Sequence, residues 1–356
     1  MTAAVPGRPG IQPPSQSPPG WTFPLTRRLR RALQRVPVWS WRLLMSAVGP
    51  GEVRRFNADP ITGVCYHHDI DFVGDGIPAH RLDVMAPLGR DKDAAALPVY
   101  VYFHGGGWTS GDKAALTKYC ASQAAGGMVV VNVNYRKAPR FHMGHLLDDA
   151  NRSLAWIRQN ISGFGGDAGR IVLGGDSAGG QLAALLTAAT LRPELAHHYA
   201  LEAAVSPADL KGLVQHCSVV DFSVFFEKGF VMSLNFIRML LPGRDNVPPP
   251  GTGLGHGLRV GPGRLDALQR AAGFLSPIEW LDQRHPPVFI TTSERDHFYN
   301  ANLNFIQRLR SHAVPVDALI YDWASANTEH TWQQDCRYPE SQEVYRRLQE
   351  FVRRVA

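Results

Sequence analysis

Ile171-Val172-Leu173-Gly174-Gly175-Asp176-Ser177-Ala178-Gly179-Gly180 is the stretch that decides the fold. A short apolar run meets a glycine-flanked turn, and a helical pattern starts at Ala178, which is the strand–turn–helix context of a nucleophile elbow, G-x-S-x-G. A turn this tight puts its central residue in strained backbone geometry, and side chains at the flanking positions would collide with neighbouring elements. Ser177 is thereby pushed out at the C-terminal edge of a sheet, beside a helix N-terminus that favours developing negative charge. G-x-S-x-G also occurs by chance, so a glycine-rich turn with an incidental serine is the plain alternative.

Working outward, β-rich runs are expected at 79–85, 99–103, 128–134, 171–174, 287–292 and 316–321, alternating with helical patterns at 112–126, 145–160, 178–190, 300–312 and 340–354. That alternation predicts an α/β fold with a mostly parallel central sheet flanked by helices. Three regions are expected. Residues 1–20, nine of them Pro or Gly, read as a disordered tail, and 21–60 as an N-terminal helical cap segment. Residues 61–356 form the main domain, with a cap or lid insertion at about 207–275 that holds twelve Pro or Gly between 242 and 263. Leu25, Leu29, Leu33 and Val36 recur at helical spacing until Pro37 interrupts them. The arginines among them leave two readings open: a cap over the site, which is favoured, or an amphipathic anchor on anionic lipid.

A second motif follows the 99–103 run: His104-Gly105-Gly106-Gly107-Trp108. Consecutive glycines let backbone N–H groups point into a cavity, so Gly105 and Gly106, with the N–H of Ala178, are the candidate oxyanion hole. His104 is expected to shape that loop rather than act as a base. Trp108 and Asp176 are candidate pocket residues. With HGGGW about seventy residues before GDSAGG, the chain resembles the hormone-sensitive-lipase-like branch of α/β-hydrolase-fold esterases. The likeness runs from about residue 80 to 205 and resumes at Ser276-Pro277. It implies carboxylic-ester hydrolysis on an eight-stranded sheet, capped by N-terminal helices and an insertion.

The chain order Ser, Asp, His locates the remaining groups. Asp296 follows the 287–292 run in Ser293-Glu294-Arg295-Asp296, where the resembled family carries its acid, and Glu294 is its local rival. His330 lies in a loop after the last strand, and His297 is the weaker candidate base. The expected chemistry is attack by Ser177, with His330 as base and Asp296 orienting it, through an acyl-enzyme. Short to medium acyl esters are expected as small-molecule substrates. An amidase or formamidase using the same three residues, and a non-catalytic ligand-binding protein on this fold, are the alternatives. The family's usual R-L-A-P-E becomes Arg136-Lys137-Ala138-Pro139-Arg140 here, and its P-L-R becomes His297-Phe298-Tyr299.

Composition narrows the partners. A hydrophobic fraction of 44% and a charged fraction of 19% suit an ordinary globular chain. Residues 1–60 carry nine arginines against Glu52 and Asp59, more than the net charge of +6 of the whole chain. The rest is close to neutral, which argues against a nucleic-acid groove. Cys65, Cys120, Cys217 and Cys336 are scattered without a CxxC pair, so neither a metal site nor a disulfide framework is expected, and no cofactor. No secretory leader is expected, which with the cysteines points to a reducing, cytoplasmic location. Peripheral membrane contact through the basic segment and a homo-oligomer are left open.

Overall fold

A computed structural model describes residues 27–89, 94–227, 233–242 and 265–356. The expected tail at 1–20 and the Pro/Gly-rich stretch at 243–263 lie outside the described residues. The strands are β1 Val64–Asp71, β2 Arg81–Pro87, β3 Leu97–Phe103, β4 Val129–Val133, β5 Gly166–Asp176, β6 Leu210–His216, β7 Val288–Ser293 and β8 Val316–Tyr321. The helices are α1 Arg27–Phe56, α2 Thr117–Ala125, α3 Met143–Asn160, α4 Ser177–Leu191, α5 Pro193–Tyr199, α6 Ser233–Leu240, α7 Leu265–Gly273, α8 Tyr299–Ser311 and α9 Pro339–Val355.

One sheet holds all eight strands in the order β1-β2-β4-β3-β5-β6-β7-β8. β2 pairs antiparallel with both neighbours, and every pairing from β4 to β8 is parallel. Such a sheet must be covered on both faces, and the period-2 alternation does this. Val99, Val101, Phe103, Ile171 and Leu173 pack with residues of α3, α4 and α8, whereas Tyr100, Tyr102, Val172 and Phe289 pack with α2 and α9. On α9, Val344, Leu348, Phe351 and Val352 form the buried stripe that helical spacing requires.

The parallel register sets where chemistry can occur. Phe103 pairs with Gly175, Asp176 with His216, His216 with Thr291 and Ser293 with Tyr321. The chains leaving β3, β5, β6, β7 and β8 therefore emerge together at one edge, the C-terminal edge where open α/β sheets place their ligands.

Two strands differ from the sequence reading. β1 was not expected, because Val64-Cys65-Tyr66-His67-His68-Asp69 is an edge strand with little apolar character. β6 falls inside the stretch assigned to the insertion from about 207. It is a central strand between β5 and β7, so the chain leaves the sheet only after His216. The region expected to cap the site is helical over Arg27–Phe56, and the helix runs through Pro37 instead of stopping there. It gives up one backbone bond at the proline, and the next residue, Val38, is buried in the core. Near the other end, Arg55 donates to Asp335 (3.2 and 3.1 Å) and to the Tyr338 hydroxyl (2.8 Å), in the segment that follows His330.

A buried ion cluster fixes the loop after β4. Asp149 of α3 accepts from Arg136 N (2.8 Å) and from its guanidinium, and His80 lies between Asp149 (3.1 Å) and Asp75 (2.8 Å). The hydrogen bond to Asp149 holds the His80 imidazolium above its ordinary range, outweighing burial, with the charge of Asp149 and then Asp75 adding to it. A histidine raised on folding stabilises fully below its unfolded value of about 6.5, and that stabilisation is lost as pH rises through the folded value. Urea midpoints of the wild type should therefore fall from about pH 6 to about pH 9 by more than those of His80→Gln. Parallel pH profiles for the two proteins would remove His80 from this role.

Candidate active site

The elbow forms as its glycines require. Ser177 sits between β5 and α4 with φ of 50°, in the left-handed region that non-glycine residues rarely adopt. A Cβ on Gly179 would strike the carbonyl oxygens of Phe103 and His104, so only glycine lets α4 start this close to β3. The strain is imposed by packing on both sides, and it projects Oγ away from the sheet.

The structure brings the three residues picked from chain order together. His330 Nε2 lies 3.0 Å from Ser177 Oγ, and His330 Nδ1 lies 2.7 Å from Asp296 Oδ1. Asp296 Oδ1 can only accept from the ring, so Nδ1 carries the proton and Nε2 offers its lone pair to the Ser177 hydroxyl. Phe298 N also donates to Asp296 Oδ1 (3.2 Å). Asp296 and Ser177 are buried, while His330 is half-buried and reachable from solvent. Glu294 is not a rival: it is exposed and accepts from Trp323 N at 2.8 Å. His297 lies beside the relay, its ring centroid 4.4 Å from that of His330, and burial followed by the His330 charge holds its imidazole below the ordinary range.

One donor changes. The Gly105 N–H is not aimed at the cavity, because it donates to Asp176 Oδ1 at 3.0 Å. The N–H groups of Gly106 and Gly107 have no intramolecular acceptor among the described residues, and both glycines have positive φ, 113° and 58°. Ala178 stands in the first turn of α4, where an N–H lacks an intrahelical partner. Among the described residues, Gly106 and Gly107 in the turn beside the elbow and Ala178 at the start of α4 therefore keep unpaired donors, whereas the Gly105 amide does not. The carboxylate that claims the first glycine's amide lies 71 residues further along the chain, so no local sequence signal marks it.

Asp176 is likewise not a pocket residue. It is 1% exposed, and besides Gly105 it accepts from Tyr102 Oη (2.6 Å) and Gln334 Nε2 (3.0 Å). It ties β3, the glycine turn and the loop after His330 to the elbow. Burial pushes its carboxyl up, against the Tyr102 hydrogen bond and the His330 charge.

Trp108 is 2% exposed and donates to Gln181 Oε1 (3.0 Å). Its ring packs on Phe222 (5.8 Å), Phe225 (6.4 Å) and Phe236 (6.0 Å). Phe225 in turn meets Phe298 (6.0 Å), which lies 5.5 Å from His330. This buried aromatic cluster, which reaches His330 through Phe298, is not legible in the sequence, because Phe222, Phe225, Phe236 and Phe298 are far from Trp108 in the chain and carry no motif. Cys217, directly after β6, was also missed. Its Sγ and ligand atoms of Asp296 and His330 lie within 4.8 Å of one another, a grouping with metal-ligand chemistry. The His330 and Asp296 atoms already bond each other at 2.7 Å, so two of the three candidate ligand atoms are engaged in a hydrogen bond. The Cys217 thiol is buried and, with Cys120, fits the expectation of buried thiols, whereas Cys65 and Cys336 are half-buried; all four are free.

Comparison with known proteins agrees with this architecture. A family described as alpha/beta hydrolase fold matches residues 100–240, the stretch from β3 through the elbow to α6. Esterase B from Lactobacillus rhamnosis superposes with a TM-score of 0.76 over 91% of this chain and 96% of that one, at 20% identity. The chain has the α/β-hydrolase fold. The hyperthermophilic esterase from Pyrobaculum calidifontis shares this hydrolase fold with a TM-score of 0.61 and 25% identity, over 94% of this chain and 100% of that chain. Among curated relatives, carboxylesterase NlhH of Mycobacterium tuberculosis is 40% identical over 101 residues, which is 28% of this chain and 30% of NlhH. Esterase LipQ of the same organism is 28% identical over 256 residues, 69% of this chain and 51% of LipQ. The matched stretches thus span about a third to a half of those relatives. The similarity is in line with the resemblance to hormone-sensitive-lipase-like esterases carried by HGGGW and GDSAGG.

Removing the Asp176 carboxylate leaves the Tyr102 hydroxyl, the Gly105 amide and the Gln334 amide without their buried acceptor. Asp176→Ala should lower the unfolding free energy by about 2 kcal/mol, measured by urea denaturation. An unchanged midpoint would show that these donors find other partners.

Proposed function

We propose that this protein hydrolyses carboxylic esters through an acyl-enzyme on Ser177. The reading is carried by the hydrogen-bonded line Ser177, His330 and Asp296 beside the unpaired amides of Gly106, Gly107 and Ala178. His330 Nε2 takes the Ser177 proton as Oγ attacks the acyl carbon, and Asp296 holds the tautomer and stabilises the imidazolium. The carbonyl oxygen becomes an oxyanion facing the three amides; losing one such donor typically costs about 3 kcal/mol of barrier lowering. As the tetrahedral adduct collapses, His330 returns the proton to the departing alkoxide. Water then enters, gives its proton to His330 and attacks the acyl-enzyme, releasing the acid and restoring Ser177.

The acyl group belongs to the short to medium class on this reading, because Phe298, 5.5 Å from His330, is backed by the buried rings of Phe225, Phe222 and Trp108 and has no room to recede. A p-nitrophenyl ester series should show higher kcat/KM for butyrate than for palmitate, and Ser177→Ala should lose at least ~10⁴-fold in kcat. Best activity on the palmitate ester would overturn the acyl assignment. Activity unaffected by Ser177→Ala would overturn the mechanism.

A surface observation supports peripheral membrane contact as well. α1 exposes Trp39, Leu43 and Leu44 one turn apart, and the Arg42 guanidinium stacks on Trp39 (5.3 Å), an amphipathic pairing suited to an anionic lipid interface. No helix among the described residues is long and apolar enough to cross a membrane. The wild type should sediment with phosphatidylserine-containing vesicles, and the triple substitution Trp39→Ser, Leu43→Ser, Leu44→Ser should not. Equal sedimentation of both proteins removes the lipid reading of α1.

A further inference from the structure

The turn that presents the Gly106 and Gly107 amides is held from behind by the loop after β4, at three points. Tyr135 Oη donates to His104 O (2.7 Å), Ala138 N donates to Trp108 O (2.9 Å), and Lys137 Nζ lies 2.7 Å from His104 Nε2. The mechanism above uses none of these groups. The first two, one from a side-chain hydroxyl and one from a backbone N–H, clamp main-chain carbonyls at the ends of the turn. The third is a different kind of contact, because it ends on an imidazole whose other nitrogen touches the turn itself.

His104 Nδ1 lies 2.7 Å from Gly105 O. A carbonyl oxygen only accepts, so Nδ1 carries the ring proton and Nε2 has the lone pair. Lys137 is then the donor to Nε2, and it selects this tautomer. With the other tautomer, the Nδ1 lone pair would face the Gly105 oxygen. Burial, followed by the neighbouring Lys137 charge, drives the His104 imidazolium down to about 3, so the ring is neutral. The ring also stacks on Tyr135 (4.7 Å, 19°), and the Lys137 ammonium position is 3.4 Å from the centre of that same ring. Burial holds the Lys137 ammonium well below its ordinary range, outweighing the charges of Asp112 and Asp149, and Arg42 lowers it further; as amine or ammonium, Nζ still has N–H groups to donate.

The carbonyl that His104 grips belongs to the peptide group whose N–H is that of Gly106. Hydrogen bonds in series polarise one another, and donation to the oxygen of an amide makes its N–H a stronger donor. The bonds run from Lys137 Nζ–H to His104 Nε2, from His104 Nδ1–H to the Gly105 oxygen, and through that amide to the Gly106 N–H. We propose that Lys137 is a positioning residue for the oxyanion hole: it fixes the His104 tautomer and thereby orients and strengthens the Gly106 donor. The inference rests on the ester-hydrolysis reading given above. It concerns a position where this chain departs from the resembled pattern, which has leucine in place of Lys137.

Lys137→Met keeps the stem length and removes the donor. On p-nitrophenyl butyrate it should lower kcat about 10-fold with little change in KM, since an oxyanion donor acts on the transition state rather than on the bound ester. Affinity for an alkyl boronic acid, which places an anionic oxygen in the same hole, should fall by a similar factor, and Lys137→Arg should recover most of the loss. In a His104→Ala background, Lys137→Met should change kcat less than about 2-fold, because the coupling runs through the imidazole. A full 10-fold effect in that background, or unchanged kcat and boronate affinity in Lys137→Met, overturns the inference.

A ¹⁵N-histidine spectrum of the wild type needs no folded variant. It should show His104 as the Nδ1–H tautomer near pH 7, and the opposite tautomer overturns the inference. Wild type that neither cleaves the ester nor reacts with a fluorophosphonate refutes the hydrolase reading separately; the His104 tautomer compared between wild type and folded Lys137→Met still decides the role of Lys137, and an unchanged Nδ1–H population in the variant overturns it.

Discussion

The site depends on a backbone approach that only glycine permits. Gly179 sits against the carbonyl oxygens of Phe103 and His104, so the start of α4 is pressed onto the end of β3. That approach bends the chain hard enough to hold Ser177 at positive φ, a conformation costing of the order of 1–3 kcal/mol. It also brings the triple-glycine turn alongside the serine, so the strained residue and the amides facing it have one cause. A larger residue at 179 would separate the nucleophile from its donors.

Around that contact, the parallel register carries the other groups to the same edge. Asp296 comes from the chain leaving β7 and His330 from the chain leaving β8, while Asp176 ties the loop after His330 to the elbow through Gln334. Asp149 does the equivalent for the loop after β4, holding Arg136 next to Tyr135 and Lys137. Two buried carboxylates that touch none of the reacting atoms thus hold the parts that do. Each buried acid is matched by several donors, the condition under which a buried charge is tolerated.

Much of this was legible in the sequence, for physical reasons. β3, β4 and β5 are buried on both faces and read as apolar runs, and the elbow announces itself because glycine is obligatory there. Ser177, Asp296 and His330 followed from chain order. The failures share a feature: they are contacts between segments distant in sequence. β1 is an edge strand and β6 borders a long insertion, so neither shows a plain apolar run. The Gly105 amide was assigned to the cavity because nothing local says that a carboxylate 71 residues away will take it. The buried cluster of Trp108, Phe222, Phe225 and Phe298 exists only after folding, and so does the contact of Lys137 with His104.

The spacing of the parts along the chain also bears on how the protein comes to be made. β3, β4, β5 and the glycine turn all lie before Ala178, so the cradle of the serine can assemble while later strands are still being synthesised. The imidazole is encoded 153 residues after the hydroxyl it bonds. A nascent chain therefore carries its serine and facing amides without a base to accept the proton, and the relay closes only when the last strand is in place.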